Sequence, residues 1–220
     1  MIIPALDAAA ELPRTLAALA GVALIGEVIV VDGGSRDASA RIARRARARV
    51  IEAPRGRGIQ LAAGARVAAS GWLLFLHADC RLGAGWQDAV GAFVATPGAA
   101  CRAGYFALAL DDDAPAARRL ERLVAWRCRV LALPYGDQGL LISRALYDAV
   151  GGYKAMPLME DVDIIRRLGR DRLKPVVATI TASARRYRRD GYWQRMLRNL
   201  FCLSLYFLGV PPGRIVKLYG

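Results

Sequence analysis

The chain has 220 residues, 55% of them hydrophobic, which is enough to bury a full core in one domain and excludes a disordered polypeptide. Its four cysteines, Cys80, Cys101, Cys128 and Cys202, form no CxxC pair, arguing against a disulfide framework or a zinc site and for reduced thiols. The opening MIIPALD lacks the charge and cleavage features of a signal peptide, and the longest late apolar run, residues 200–210, is too short to cross a bilayer. The formal net charge of +13 admits a solvated arginine-rich surface or an anionic partner: a nucleotide diphosphate, a membrane face or nucleic acid.

Residues 1–4 read as a short strand, and Leu12, Leu16 and Leu19 fall on one face of a helix after it. The opening MIIP leaves little room for a full first strand, so the natural start is expected upstream. EVIVVD, residues 27–32, is a second strand, with the near-continuous apolar run of burial on both faces. The turn GGSRD carries Ser35 and Asp37 as helix-start signals before an Ala/Arg helix to about residue 47. RVIEA is the third strand, IQLAAGARVAA the third helix and WLLFLH the fourth strand. Residues 86–94 then read as helix and 101–110 as strand. This alternation implies a mainly parallel sheet with right-handed crossovers. Residues 117–133 form an amphipathic helix with Leu120, Val124 and Leu131 apolar, placed to cover the sheet or to lie on a membrane surface. MEDVDIIRRL opens a helix with Val162, Ile165 and Leu168 on one face, and Pro211 and Pro212 break the tail before a short last helix.

Two strands end in aspartates, Asp32 and Asp79, and the second presents the chain's only histidine, His77, beside its acid. In open α/β sheets ligands bind at the carboxyl edge of the strands, so both acids are placed for chemistry, the alternative being caps of the helices that follow. A dinucleotide-binding unit is excluded. It needs a glycine-rich loop after the first strand, and PALDAAAEL has no glycine there, while the GxG at Gly56 to Gly58 follows the third strand. Asp111, Asp112 and Asp113 read as a solvated turn with a helix cap in preference to a second metal site. Asp137 and Gln138, between Gly136 and Gly139, form either a plain turn or a pair that holds sugar hydroxyls. Glu160 and Asp161 occupy a first helical turn, where carboxylates are favoured, as caps or as catalytic acids.

Taken in order, these motifs resemble the family 2 glycosyltransferases of the GT-A fold over nearly the whole chain. The carriers are Pro4 to Ala8 at the first strand end, VDGGSRD at the second, His77, Ala78 and Asp79 in place of D-x-D, Gly151, Gly152 and Tyr153, and then MEDVD. The resemblance implies an α/β GT-A domain, a mainly parallel sheet flanked by helices, over residues 1–184. Residues 185–220 would be a basic, aromatic helical appendage packed on that domain or on a membrane surface. It further implies an inverting, metal-dependent transfer of a sugar from a nucleotide-diphosphate donor to an acceptor hydroxyl. Asp32 would meet the nucleobase or ribose, with Pro4, Ala5 and Asp7 in the turn packing beneath it. Arg57 would approach the diphosphate from a helix N-terminus, and Ala78 and Asp79 would bind the donor. Asp79, with His77 beside it, would ligate Mg²⁺ or Mn²⁺ acting as a Lewis acid on the leaving group. Asp161 would be the general base and Glu160 its neighbour and orienter. Three departures stand out: Ala8 where relatives have Glu, Gly33 for the second Asp of V-D-D, and His77 for the first acid of D-x-D.

The combination FLHAD, GDQG and MEDVD also resembles a compact bacterial subgroup labelled arsenosugar-biosynthesis glycosyltransferases, a label that concerns the acceptor. The tail packs on the domain, or it anchors the enzyme peripherally at the inner membrane face beside a lipid-linked acceptor; the expected location is cytoplasmic. No nucleic acid is expected, because no binding motif accompanies the charge. A nucleotidyltransferase would carry a glycine-rich, basic loop after its first strand, which is missing. A non-enzymatic basic anion-binding adaptor is the alternative of another class.

Overall fold

In the computed structural model, which describes residues 1–219, short buried strands alternate with helices from the first residue. In chain order the elements are β1 (Ile2–Ala5), α1 (Leu12–Ala17), β2 (Ile29–Asp32), α2 (Ser39–Arg45), β3 (Arg49–Glu52), α3 (Arg57–Val67), β4 (Trp72–Phe75) and β5 (Cys80–Leu82). They continue as α4 (Trp86–Ala95), β6 (Ala103–Leu110), α5 (Pro115–Leu131), β7 (Leu140–Ser143), α6 (Arg144–Ala149), α7 (Glu160–Leu168), β8 (Leu173–Ala182), α8 (Arg185–Asp190), α9 (Tyr192–Phe207) and α10 (Pro212–Tyr219).

The eight strands form one sheet in the order β3-β2-β1-β4-β7-β6-β8-β5. The first four run parallel, as expected of βαβ units. The far half is mixed: β7 is antiparallel to both β4 and β6, β6 and β8 are parallel, and β5 closes the far edge antiparallel to β8. Parallel pairing therefore holds at four of seven joints, fewer than the sequence pattern suggests, and β5 and β8 are strands that pattern did not give.

Side chains alternate across the strands into two cores, and both faces are covered. Ile3, Val30 and Leu74 face α1, α2, α4 and α5, whereas Ile2, Val31, Leu73 and Phe75 face α3, α6 and α7. Each such buried side chain contributes about 1.5–3 kcal/mol relative to exposure. The approach of α3 to β1 is close enough that a Cβ on Gly64 would lie 2.4 Å from Ile2 Cγ2, so glycine is required there. A third cluster joins Leu158, Met159 and Val162, at the start of α7, to Cys202 of α9 and Ile215 of α10. The last two helices thus pack on the segment that carries Glu160 and Asp161. On α5, Leu120 and Val124 are buried as expected, but Leu131 is not: it is 49% exposed, because the helix ends there at Ala132 in the left-handed region.

Candidate active site

The sheet's carboxyl edge assembles the site from three strand ends. The turn after β1 is tied to the turn after β2 by backbone N–H groups: Asp7 N donates to Ser35 Oγ (3.0 Å), Ala8 N to Ser39 Oγ (2.8 Å) and Ala9 N to Asp37 Oδ2 (2.9 Å). Asp7 accepts in return from Arg36 N at 2.8 Å and stands at a φ of +48°. Asp32 is buried, and its carboxylate accepts from the backbone N–H and the hydroxyl of Ser35. Beneath both turns the buried Gln60 donates to the carbonyls of Ala5 and Val31, each at 2.8 Å. This explains Gly33: a Cβ there would sit 2.9 Å from Gln60 Nε2. Pro4 and Ala5 are buried in β1, and Ala78 is fixed by its carbonyl, which accepts from Thr15 Oγ1 at 2.7 Å.

At the end of β4 the ligand atoms of His77, Asp79 and Cys80 lie within 4.8 Å of one another, the single such cluster among the described residues. Burial, with Arg57 and Arg186 nearby, pushes His77 well below its ordinary pKa, so the imidazole is neutral and able to ligate. Burial, with Asp79 and Asp137 adding to it, pushes Cys80 well above the usual thiol range, so it stands as a protonated thiol 3.7 Å from Asp79 Oδ1. The acids of residues 111–113 form no second cluster. Asp111 accepts from Ala184 N (2.6 Å), and Asp112 from Ala114 N (3.0 Å) and the Tyr192 hydroxyl (2.8 Å), so they form a turn that holds the tail; the expected cap is not made, because these bonds go to the residues just before α5 and α8 and not to first-turn N–H groups.

The start of α7 brings the remaining acids. Asp161 is half-buried; Oδ1 accepts from Val162 N and Oδ2 from Gly136 N, each at 2.8 Å. Gly136 links the two sides of the site, because a Cβ on it would lie 2.6 Å from His77 Nε2 and 3.4 Å from Asp161 Oδ2. Glu160 is fully buried and corrects its expected role: its partner is Arg57 Nε, not Asp161, and its second oxygen has no hydrogen-bond partner. Burial pushes Glu160 upward against the pull of Arg57, while for Arg57 burial opposes the charge and Glu160 and Asp161 more than offset it. Asp163, also at α7, pairs with Arg167 and Lys154.

The turn before β7 separates its two polar residues. Gln138 is corrected from a sugar contact to a structural residue: it is 2% exposed, its Oε1 accepts from Arg127 Nη2 (3.0 Å) and Tyr135 N (3.3 Å), and its Nε2 donates to Phe106 O (3.0 Å). Asp137 keeps a buried oxygen without a partner. Burial pushes its pKa up to about 6, against Arg127 and with Asp161 and Asp79 adding to the rise.

Arg57, His77, Asp79, Asp137 and Asp161 all open onto one cavity of about 420 Å³, whose other wall comes from α5, α9 and Tyr219. Asp7 and Asp32 lie on the adjoining strand ends outside its lining. The cavity also receives Arg186, Tyr187 and Arg195, residues that no local pattern marked; the basic and aromatic composition of the tail was their only signal.

Residues 1–101 match the family model described as Glycosyl transferase family 2. A comparison with curated protein sequences finds no match. Among solved structures, glucosyl-3-phosphoglycerate synthase from Mycobacterium tuberculosis, in complex with Mn²⁺ and uridine-diphosphate-glucose, is similar with a TM-score of 0.64 at 20% identity, covering 96% of this chain and 78% of that one. TarS of S. aureus in complex with UDP-GlcNAc is similar with a TM-score of 0.65 at 15% identity, covering 83% of this chain and 57% of that one. GalNAc-T7 with UDP, GalNAc and Mn²⁺ is similar with a TM-score of 0.62 at 14% identity, covering 83% of this chain and 43% of that one. The chain spans about half the length of these last two. The shared fold is that of GT-A glycosyltransferases, and together with the match over the first 101 residues it supports a glycosyltransferase.

Proposed function

We propose that this chain transfers a sugar from a nucleotide-diphosphate donor, with a uridine nucleotide as the first candidate, to an acceptor hydroxyl with inversion at the anomeric carbon. The observation that carries this reading is the convergence of His77, Asp79 and Asp161 on one cavity through Gly136. The donor atoms fit a divalent cation: the Asp79 carboxylate and the neutral His77 imidazole, with the Cys80 sulfur in the same cluster. An imidazole ligand favours Mn²⁺ over the all-oxygen preference of Mg²⁺. His77 and Asp79 would hold the ion, which supplies Lewis-acid stabilisation of the departing diphosphate when bound.

The remaining work falls to side chains. Asp32 and the turn of residues 5–7 take the nucleoside, and Arg57, its Nε held by Glu160, offers the rest of its guanidinium to the diphosphate. Glu160 thereby positions Arg57. Asp161 takes the proton of the acceptor hydroxyl as the new bond to the anomeric carbon forms and the bond to the diphosphate oxygen breaks, its electron pair leaving with the diphosphate. Both Asp161 oxygens accept backbone N–H bonds, which aims the carboxylate without a charged partner.

The direct experiment is thermal-shift screening of UDP-, GDP- and dTDP-sugars with and without Mn²⁺. A ligand that binds the native state raises the melting temperature. A Mn²⁺-dependent rise with at least one UDP-sugar is expected. Binding of anionic lipid with no response to any nucleotide sugar would replace this reading by that of a basic anion-binding adaptor.

A further inference from the structure

The two helices that wall the cavity each carry an apolar stripe with no protein partner. On α5, Leu120, Val124 and Cys128 are buried toward the sheet, yet Leu123, Trp126 and Val130, spaced along another face, are 44%, 52% and 43% exposed. On α9, Trp193, Leu197, Leu200 and Phe201 are between 56% and 62% exposed. Single exposed hydrophobes are ordinary, but two touching helices whose exposed stripes border one cavity make a patch of the kind that marks an interaction surface. The inner edges of both stripes, Leu123, Trp126 and Leu131 from α5 and Leu197 and Leu200 from α9, line the same cavity as Asp79 and Asp161. The cavity is therefore two-ended, with charged groups at its floor and hydrocarbon at its mouth.

The surrounding charge narrows the occupant. Arg118, Arg119, Arg122 and Arg129 of α5 and Arg185 and Arg186 of α8 are all exposed around the apolar stripes, and Arg186 reaches the cavity itself. A second copy of this chain would bring the same cations and the same +13 net charge to the face, which opposes self-association. Nucleic acid would leave the apolar stripes facing water. An anionic lipid surface satisfies both features at once, with arginines at the headgroups and aromatic and leucine side chains at the acyl boundary.

We infer that the groove between α5 and α9 holds the hydrocarbon chain of an anionic-headed lipid acceptor, taken from a membrane on which this face lies. The inference rests on the glycosyltransferase reading above and adds the chemical class of the acceptor. The head would sit at the floor beside Arg186 with its hydroxyl toward Asp161, and the chain would leave between Trp126 and Leu200.

The experiment uses the full chain and three probes. Cosedimentation with vesicles of phosphatidylcholine, with and without phosphatidylglycerol, is expected to show binding that needs the anionic lipid. Calorimetry in lipid-free buffer is expected to show hexadecyl phosphate binding at least about tenfold more tightly than butyl phosphate, since each buried methylene adds to the affinity. The Trp126→Asp/Leu200→Asp variant should lose both the vesicle binding and the chain-length preference while still binding UDP-glucose with Mn²⁺. Equal affinity for the two alkyl phosphates in the unmodified protein overturns the inference, and that comparison stands even if the variant does not fold. A dimer in ultracentrifugation that the variant converts to monomer also overturns it, by assigning the face to a second copy. Loss of the glycosyltransferase reading would show separately, as absence of UDP-sugar binding beside an intact preference for the long chain.

Discussion

The strand-end turns beside the cavity and the helical wall of the cavity are built by opposite means. The turns form a polar lattice: those after β1 and β2 exchange four backbone-to-side-chain hydrogen bonds, and Gln60 fastens both strand ends from below. The facing side is a pair of helices held on one face by packing and left apolar on the other. On the proposed reading the lattice takes the nucleoside, whose hydrogen-bonding groups have fixed directions that a rigid frame can match. Hydrocarbon surfaces lack direction, so on the inference above the facing wall would select an acceptor by its apolar area without a hydrogen-bond pattern of its own.

Breaking the side chains that bridge the two walls should have the largest effects. Asp161→Asn keeps an acceptor for the Gly136 and Val162 N–H groups but cannot take a proton. Turnover of a UDP-sugar, with slow hydrolysis to free nucleotide counted where no acceptor is supplied, should fall ~10²- to 10⁴-fold while the melting temperature and donor affinity hold. Activity within a few-fold of the parent would remove Asp161 from the mechanism. Asp79→Asn should weaken Mn²⁺-dependent donor binding by at least about 100-fold, since even outer-shell changes at metal sites cost about 10- to 100-fold. Titration calorimetry with and without Mn²⁺ measures it, and an unchanged metal response would show that the ion is held elsewhere.

Within the bridge, Arg57→Met strands the fully buried Glu160 carboxylate and should destabilise the fold by about 3 kcal/mol in urea unfolding. The double variant Arg57→Met/Glu160→Met should recover most of that stability but not donor binding. Recovery of both would reduce the pair to a structural contact. The smallest effect belongs to Asp137. With its pKa raised from 3.8 to about 6, the folded chain keeps a proton through that window that the unfolded chain has released, so stability falls as pH rises across it. Asp137→Asn should therefore stabilise the metal-free protein at neutral pH by on the order of 2 kcal/mol in urea unfolding, and the gain should vanish in acid below both values. A gain that is constant with pH would deny that the carboxylate ionises in a buried setting.

What the sequence disclosed was whatever a short window holds. β2 is an unbroken apolar run that stops at Asp32, so that strand-end position could be read directly, as could the first-turn position of Glu160 and Asp161; β4 ends earlier than its apolar run suggested, at Phe75, and Asp79 lies in the turn that leads into β5. Contacts set by topology were hidden. Arg57 and Glu160 are 103 residues apart, and nothing near either names the other. Gln138 sits in a turn of polar type yet is buried, because α5 and β6 surround it with Arg127 and the Phe106 carbonyl. β8 escaped because its alternation is broken: Val177 is 94% exposed, and the pairing with β6 shifts register beyond Tyr105. The contribution of Tyr219 to the cavity arises only from how α10 packs, through Ile215, on the start of α7.

The interleaving of the sheet also bears on how the chain comes to be folded during its synthesis. β5 is made early, at residues 80–82, but its partner β8 ends a hundred residues later, and β4 waits for β7 to cover its open edge. A nascent chain that has emerged only as far as residue 101 would hold four parallel strands with one flank bare and a fifth with nothing to pair. Pairings this distant in sequence form slowly, and bare strand edges recruit other chains. The ribosome must therefore have delivered the chain through residue 182 before the sheet can close, which makes the interval between the synthesis of β4 and of β8 the period in which a chaperone holding the exposed edge would raise the yield most.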